Sequence, residues 1–136
     1  MQGDADDLPA MAEEPSGQLL IVDDDPELLQ FLLEELSQDT QICQGANCGA
    51  EALLLLRQQH FDLVVLDWNL PDFNGLVLTR HIRQTYGDIP VVILSGLDML
   101  EYYQAAQESG ASAFISKRKE FVTENVIACV EDILYS

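Results

Sequence analysis

Basic residues are scarce in this chain: 6 lysines and arginines stand against 24 aspartates and glutamates, giving a formal net charge of −18 over 136 residues. Nucleic acid and anionic membranes reward clustered Lys and Arg, so direct binding to either is not expected. Cysteine is scarce too. Cys43, Cys48 and Cys129 show no CxxC or Cys/His spacing, which excludes a disulfide framework or a zinc site and leaves small, half-buried apolar residues of a reducing compartment. No apolar stretch nears the roughly 20 residues that cross a bilayer, and residues 1–18 are acidic where a signal peptide would be basic and then apolar. The expectation is a soluble, cytoplasmic chain about one domain long.

What is present begins with a change of composition. Residues 1–17, with Asp4, Asp6, Asp7, Glu13, Glu14, Pro9 and Pro15, read as a disordered acidic tail, and residues 18–136 as the folded domain. Leu19 to Val22 is a strand candidate. Asp25-Pro26-Glu27 then reads as an N-cap with proline at the first helical position, followed by Leu28, Leu29, Leu32, Leu33 and Leu36 at helical spacing up to about Ser37. Thr40 to Ala46 is a weaker strand, and Asn47 is placed to cap a helix from about Gly49 to Gln58. Leu63 to Leu66 is apolar at consecutive positions, as strands buried on both faces are. A loop over Asn69 to Gly75 leads to a helix carrying Leu76, Leu78 and Ile82, and Gly87 to Pro90 breaks the chain before the strand Val91 to Leu94. A helix with Leu100, Tyr103 and Ala106 ends near Gly110. The strand Ala113 to Ser116 follows, and Val126, Ile127, Val130, Ile133 and Leu134 mark a closing helix. Five strands alternating with five helices predict an α/β fold, a doubly wound parallel sheet covered on both faces.

In such sheets the functional edge lies at the carboxyl ends of the strands. The first strand runs into Asp23-Asp24-Asp25 and the third into Asp67, so up to four carboxylates meet on one rim. Like charges that close together do not all stay ionised without a cation, and hard divalent ions take oxygen ligands. The fourth strand ends on Ser95 and the fifth on Lys117, adding a hydroxyl and a positive charge. Carboxylates, a hydroxyl and an ammonium are the parts phosphoryl chemistry uses, since its transition state is stabilised by position and charge. Taken singly, Ser95 also reads as a turn hydroxyl and Lys117 as a solvated surface charge. Asp25 reads as the helix cap alone. His60 and His81 lie away from strand ends and read as surface residues, and Trp68 reads as partly exposed at the rim.

Val22-Asp23-Asp24-Asp25-Pro26, Leu66 to Gly75, Ile93-Leu94-Ser95-Gly96 and Ser116-Lys117 resemble, in order and spacing, the response-regulator receiver domain of two-component signalling over about residues 18–134. The resemblance implies a flavodoxin-like sheet of strand order 2-1-3-4-5. It implies Asp67 as phosphoacceptor and Mg²⁺ as cofactor, held by Asp24 directly, by Asp23 largely through water, by Asp67 and by the Asn69 carbonyl. It further implies that Ser95 and Lys117 bind phosphoryl oxygens, that Ser95 and Phe114 form the switch, and that Asn69 and Leu97 tune the lifetime of the phosphorylated state. Implied partners are a histidine kinase or phosphotransfer protein and an output domain or protein, with room for a phosphorylation-dependent homodimer.

One departure is visible: the family most often has proline after the lysine, and here Arg118 follows Lys117, as in receivers joined to LuxR-type regulators. Two other readings share part of this pattern. A haloacid-dehalogenase-like phosphatase also uses an aspartate nucleophile with Mg²⁺, but needs a second aspartate two residues on, where this chain has Asn69. A degenerate receiver acting only as a protein-binding module would not need the full set of site residues. The expected activity is self-phosphotransfer and autodephosphorylation, a switch more than an enzyme.

Overall fold

The computed structural model describes residues 17–38, 41–96, 100–118 and 122–135. In chain order the elements are β1 (Gly17–Val22), α1 (Pro26–Leu36), β2 (Gln41–Ala46), α2 (Gly49–Gln58), β3 (Leu63–Asp67), α3 (Gly75–Tyr86), β4 (Val91–Ser95), α4 (Leu100–Glu108), β5 (Ala113–Ser116) and α5 (Val122–Tyr135). All four strand pairings are parallel, and the sheet order is β2-β1-β3-β4-β5. This is the doubly wound α/β architecture expected from the alternation. β1 begins at Gly17, so the boundary drawn after residue 17 falls one residue inside the strand. The rest of the acidic segment lies outside the described residues, as does Thr40.

The consecutive apolar runs serve two cores at once, because successive side chains of a strand point to opposite faces. Leu20, Val22, Val64, Leu66, Val91 and Ile93 pack with Ala52 and Leu56 of α2, Leu78 and Ile82 of α3, and Ala106 of α4. Leu19, Ile21, Leu63, Val65, Val92 and Leu94 face the other way, onto Leu32 and Leu36 of α1 and Val126 and Val130 of α5. β3 and β4 are buried throughout, whereas the edge strands β2 and β5 are only partly so. Burial of each such aliphatic side chain stabilises the fold by about 1.5–3 kcal/mol.

Of the two helix caps expected from the sequence, one is found and one is not. Asp25 caps α1 as its sequence implies, its carboxylate accepting from Glu27 N and Leu28 N, with Pro26 at the first position. Asn47 does not cap α2. The cap position is Cys48, which makes no side-chain capping bond, and Asn47 instead donates its own amide to Glu51. The free amides of α2 are taken by Asp72, a residue of the β3–α3 loop. At the far end of α4, Gly110 has φ +101°, a left-handed conformation that ends the helix and that other residues adopt only under strain.

A contrast between core and edge tests this layering. Ile21→Ala, at a fully buried position of β1, should lower unfolding free energy by about 2–5 kcal/mol in urea titration. Ile42→Ala on edge strand β2, where the side chain is 47% exposed, should change it by no more than about 1 kcal/mol. Equal losses would contradict the assignment of β2 to an edge.

Candidate functional site

The strand register brings four chain-distant polar residues to one edge. β1 ends at Val22 opposite Leu66, so Asp23 and Asp67 follow in step on neighbouring strands. Ser95 closes β4 opposite Ser116 of β5, and Lys117 comes next, its amide donating to Ser95 O at 2.7 Å. Asp23, Asp67 and Ser95 are buried and Asp24 is exposed. One oxygen from each of Asp23, Asp24 and Asp67 lies within 4.8 Å of the others, a grouping suited to a hard divalent cation.

Lys117 answers part of the charge. Its Nζ stands 2.8 Å from Asp23 Oδ2 and 3.1 Å from Asp67 Oδ1. Asp23 Oδ1 is engaged separately, accepting from Asp25 N at 2.9 Å, which turns the chain from β1 into α1. Asp24 is left facing solvent, free of these structural duties. Burial of Lys117 disfavours its charge, yet the hydrogen bonds and charges of Asp23 and Asp67 outweigh this and hold its pKa above the ordinary lysine value. For Asp67 the balance is reversed. Burial and the charge of Asp23 raise its pKa, Lys117 opposes them, Asp24 adds to them, and the carboxyl is pushed up to about 6.

Of the other described residues named from the sequence, two are placed differently from expectation. Asn69 opens the β3–α3 loop, exposed, and bridges antiparallel to Asn74. Phe114 is half-buried on β5, its ring centroid 4.3 Å from that of Tyr103 and 5.9 Å from that of Trp68. A Cβ on Gly96 would meet nothing within 4 Å, so the space beside Ser95 is open. His60 and His81 are exposed. Lys117 is followed by an ordinary trans peptide. Leu97 lies outside the described residues. The first of the two is Trp68, which is 6% exposed rather than at the rim, and meets Tyr102 edge-on at 5.3 Å and Phe114 likewise. Leu66, Trp68 and Leu70 share the face that joins the α2–α4 core, so period-two parity carried this signal. The second is Asp72, a loop residue whose carboxylate reaches across to the start of α2.

A parallel five-stranded sheet with an acidic cluster at its carboxyl edge defines a flavodoxin-like α/β domain. The chain belongs to the response regulator receiver domain family, whose model matches residues 19–129. It is 33% identical over 108 residues to the sensor histidine kinase RcsC of Escherichia coli strain K12, covering 79% of this chain and 11% of that protein. It is 31% identical over 116 residues to the response regulator MprA of Mycobacterium leprae strain TN, covering 85% of this chain and 50% of that protein. The non-phosphorylated HemR receiver domain of Leptospira biflexa matches with TM-score 0.79 at 32% identity, over 88% of this chain and 95% of that one. The chain thus spans half the length of the response regulator and far less of the kinase. Among the described residues no helix is long and apolar enough to cross a membrane.

The raised Asp67 pKa predicts a pH dependence. Between about 4 and 6 the folded protein holds a proton on Asp67 that the unfolded chain has released, so this group makes stability fall as pH rises through that window and level off above it. In chelator-treated protein, Asp67→Asn should remove that component and raise stability at pH 7 by about 1–3 kcal/mol. A variant less stable than the parent at pH 7 would show that Lys117 more than compensates the acidic pair.

Proposed function

We propose that the chain is a phosphoacceptor receiver in which Asp67 takes a phosphoryl group from a phosphohistidine of a partner kinase or phosphotransfer protein, or from a small acyl phosphate. The observation that carries this reading is the convergence of three carboxylates with an ammonium that already touches two of them. Mg²⁺, when bound, would neutralise charge developing on the transferred group and orient its oxygens. Exposed Asp24 is suited to direct ligation, while Asp23, with both oxygens engaged, is suited to act through water. Asp67 and the Asn69 carbonyl would complete the ligand set.

The chemistry asked of Asp67 is simple. Above pH about 6 its carboxylate is ionised and needs no base. An Asp67 Oδ–P bond forms as the P–N bond of phosphohistidine, or the P–O bond of an acyl phosphate, breaks. The electron pair leaves with the imidazole or carboxylate. Ser95 Oγ–H then donates to one phosphoryl oxygen and Lys117 Nζ to another, in the open space beside Gly96. As Ser95 is drawn in, Phe114 follows, and the contacts of its ring with Tyr103 and Trp68 are the packing that must change. Phosphorylation acts by shifting a pre-existing equilibrium between two surfaces.

Asn69 and Leu97 stand two residues past the acceptor and past Ser95. An apolar Leu97 cannot orient an attacking water, so slow self-hydrolysis is expected. Asn69 in place of a second aspartate speaks against the haloacid-dehalogenase reading. A partner kinase, an output domain or protein and a phosphorylation-dependent homodimer all belong to this proposal.

Acetyl phosphate with Mg²⁺ should add one phosphoryl group by intact mass, and Asp67→Asn should abolish it because an amide is no nucleophile. Omitting Mg²⁺ should abolish it too. Labelling of Asp67→Asn at the parent level would sink the assignment.

A further inference from the structure

The first amides of a helix have no partner within it, and α2 receives none from its own cap residue. Gly49 N donates to Asp72 Oδ1 at 2.8 Å and Ala50 N to Asp72 Oδ2 at 2.9 Å, so one carboxylate from the β3–α3 loop closes both. Phe73 seals the same seam: a Cβ on Gly49 would lie 2.3 Å from its ring. The loop is pinned equally at its other end. Gly75 N donates to Trp68 O at 2.7 Å, and a Cβ on Gly75 would stand 2.7 Å from Asp67 O. Between these points Leu70 N donates to Phe73 O, and Asn69 bridges Asn74. Desolvation disfavours the charge on Asp72, but the amides of Gly49, Ala50, Asp72 and Phe73 outweigh it and hold the carboxyl below its ordinary range.

We propose that Asp72 is a positioning residue for phosphotransfer: by binding the two leading amides of α2 it fixes the loop of residues 68–74, and with it Asn69, in register with Asp67. The proposal rests on the reading of Asp67 as phosphoacceptor for its kinetic consequence, though not for the clasp itself. A movement of α2 and a change in the acceptor loop become one event. Charge-assisted bonds of a carboxylate to helix amides are among the stronger ones, and small misplacements of reacting groups cost rate heavily. Asp72 is exposed, so its truncation leaves no cavity and the fold should survive.

The test is backbone amide exchange followed by NMR, with Mg²⁺ affinity and the rate of labelling by acetyl phosphate measured on the same samples. In Asp72→Ala, exchange at Gly49 and Ala50 should speed up together with that at Leu70 and Gly75. Mg²⁺ binding and labelling should each weaken about tenfold. Asp72→Asn, which keeps one accepting oxygen, should recover part of the loss. Gly49→Ala, which drives Phe73 aside with the carboxylate intact, should loosen the same loop amides. Faster exchange confined to Gly49 and Ala50 in Asp72→Ala, with labelling at the parent rate, would reduce Asp72 to a helix cap and overturn the proposal. If the parent protein takes no phosphoryl group at all, the phosphoacceptor reading fails by itself. Unchanged Leu70 and Gly75 exchange and Mg²⁺ affinity would then still overturn the clasp.

Discussion

The structure turns on one ammonium held between two buried carboxylates. Lys117 reaches Asp23 and Asp67 at 2.8 and 3.1 Å, and without it two acids on adjacent strands would face each other in a medium that screens charge poorly. That contact needs β5 at the sheet edge next to β4 and needs β1 beside β3, which the order β2-β1-β3-β4-β5 supplies. The same lysine is anchored by its own backbone, through its amide on Ser95 O. Hydroxyl and ammonium therefore move on one ladder.

Among the described residues this arrangement leaves the site short of positive charge. Lys117 touches two of the three clustered aspartates, and the carboxyl of Asp67 is raised to about 6 while the lysine is held more firmly charged. A further cation would relieve the excess, and exposed Asp24 offers it an approach from solvent. On the proposed reading, phosphorylation gives Lys117 a new anion to hold and thereby loosens its grip on Asp23. The Phe114, Trp68, Tyr102 and Tyr103 rings make edge-to-face and tilted contacts that tie the start of the β3–α3 loop to α4 and β5.

Much of the fold and the site was legible because each buried strand is a run of apolar residues that stops on a polar one. Val22 to Asp23, Leu66 to Asp67, Leu94 to Ser95 and Ser116 to Lys117 mark both the strand ends and the functional edge. What was misread came from weighing sequence neighbours over geometry. Its place next to Asp67 suggests the rim for Trp68, whereas its parity with Leu66 and Leu70 sends it into the core. Asn47 lies just before α2 and is of the residue type that caps helices, yet it does not cap this one. The acceptor that closes those amides comes 23 residues after Gly49 and reaches it only through tertiary packing.

The most direct measurement is amide chemical-shift mapping of the Lys117→Ala variant with Mg²⁺ and beryllofluoride as a phosphoryl mimic. If Lys117 is the cation that passes from Asp23 to the phosphoryl group, the parent should show shifts at Ser95 and Phe114 that the variant lacks. Shifts of parent size in Lys117→Ala would mean that the ammonium only neutralises Asp23 and Asp67, and the account of the switch would fail.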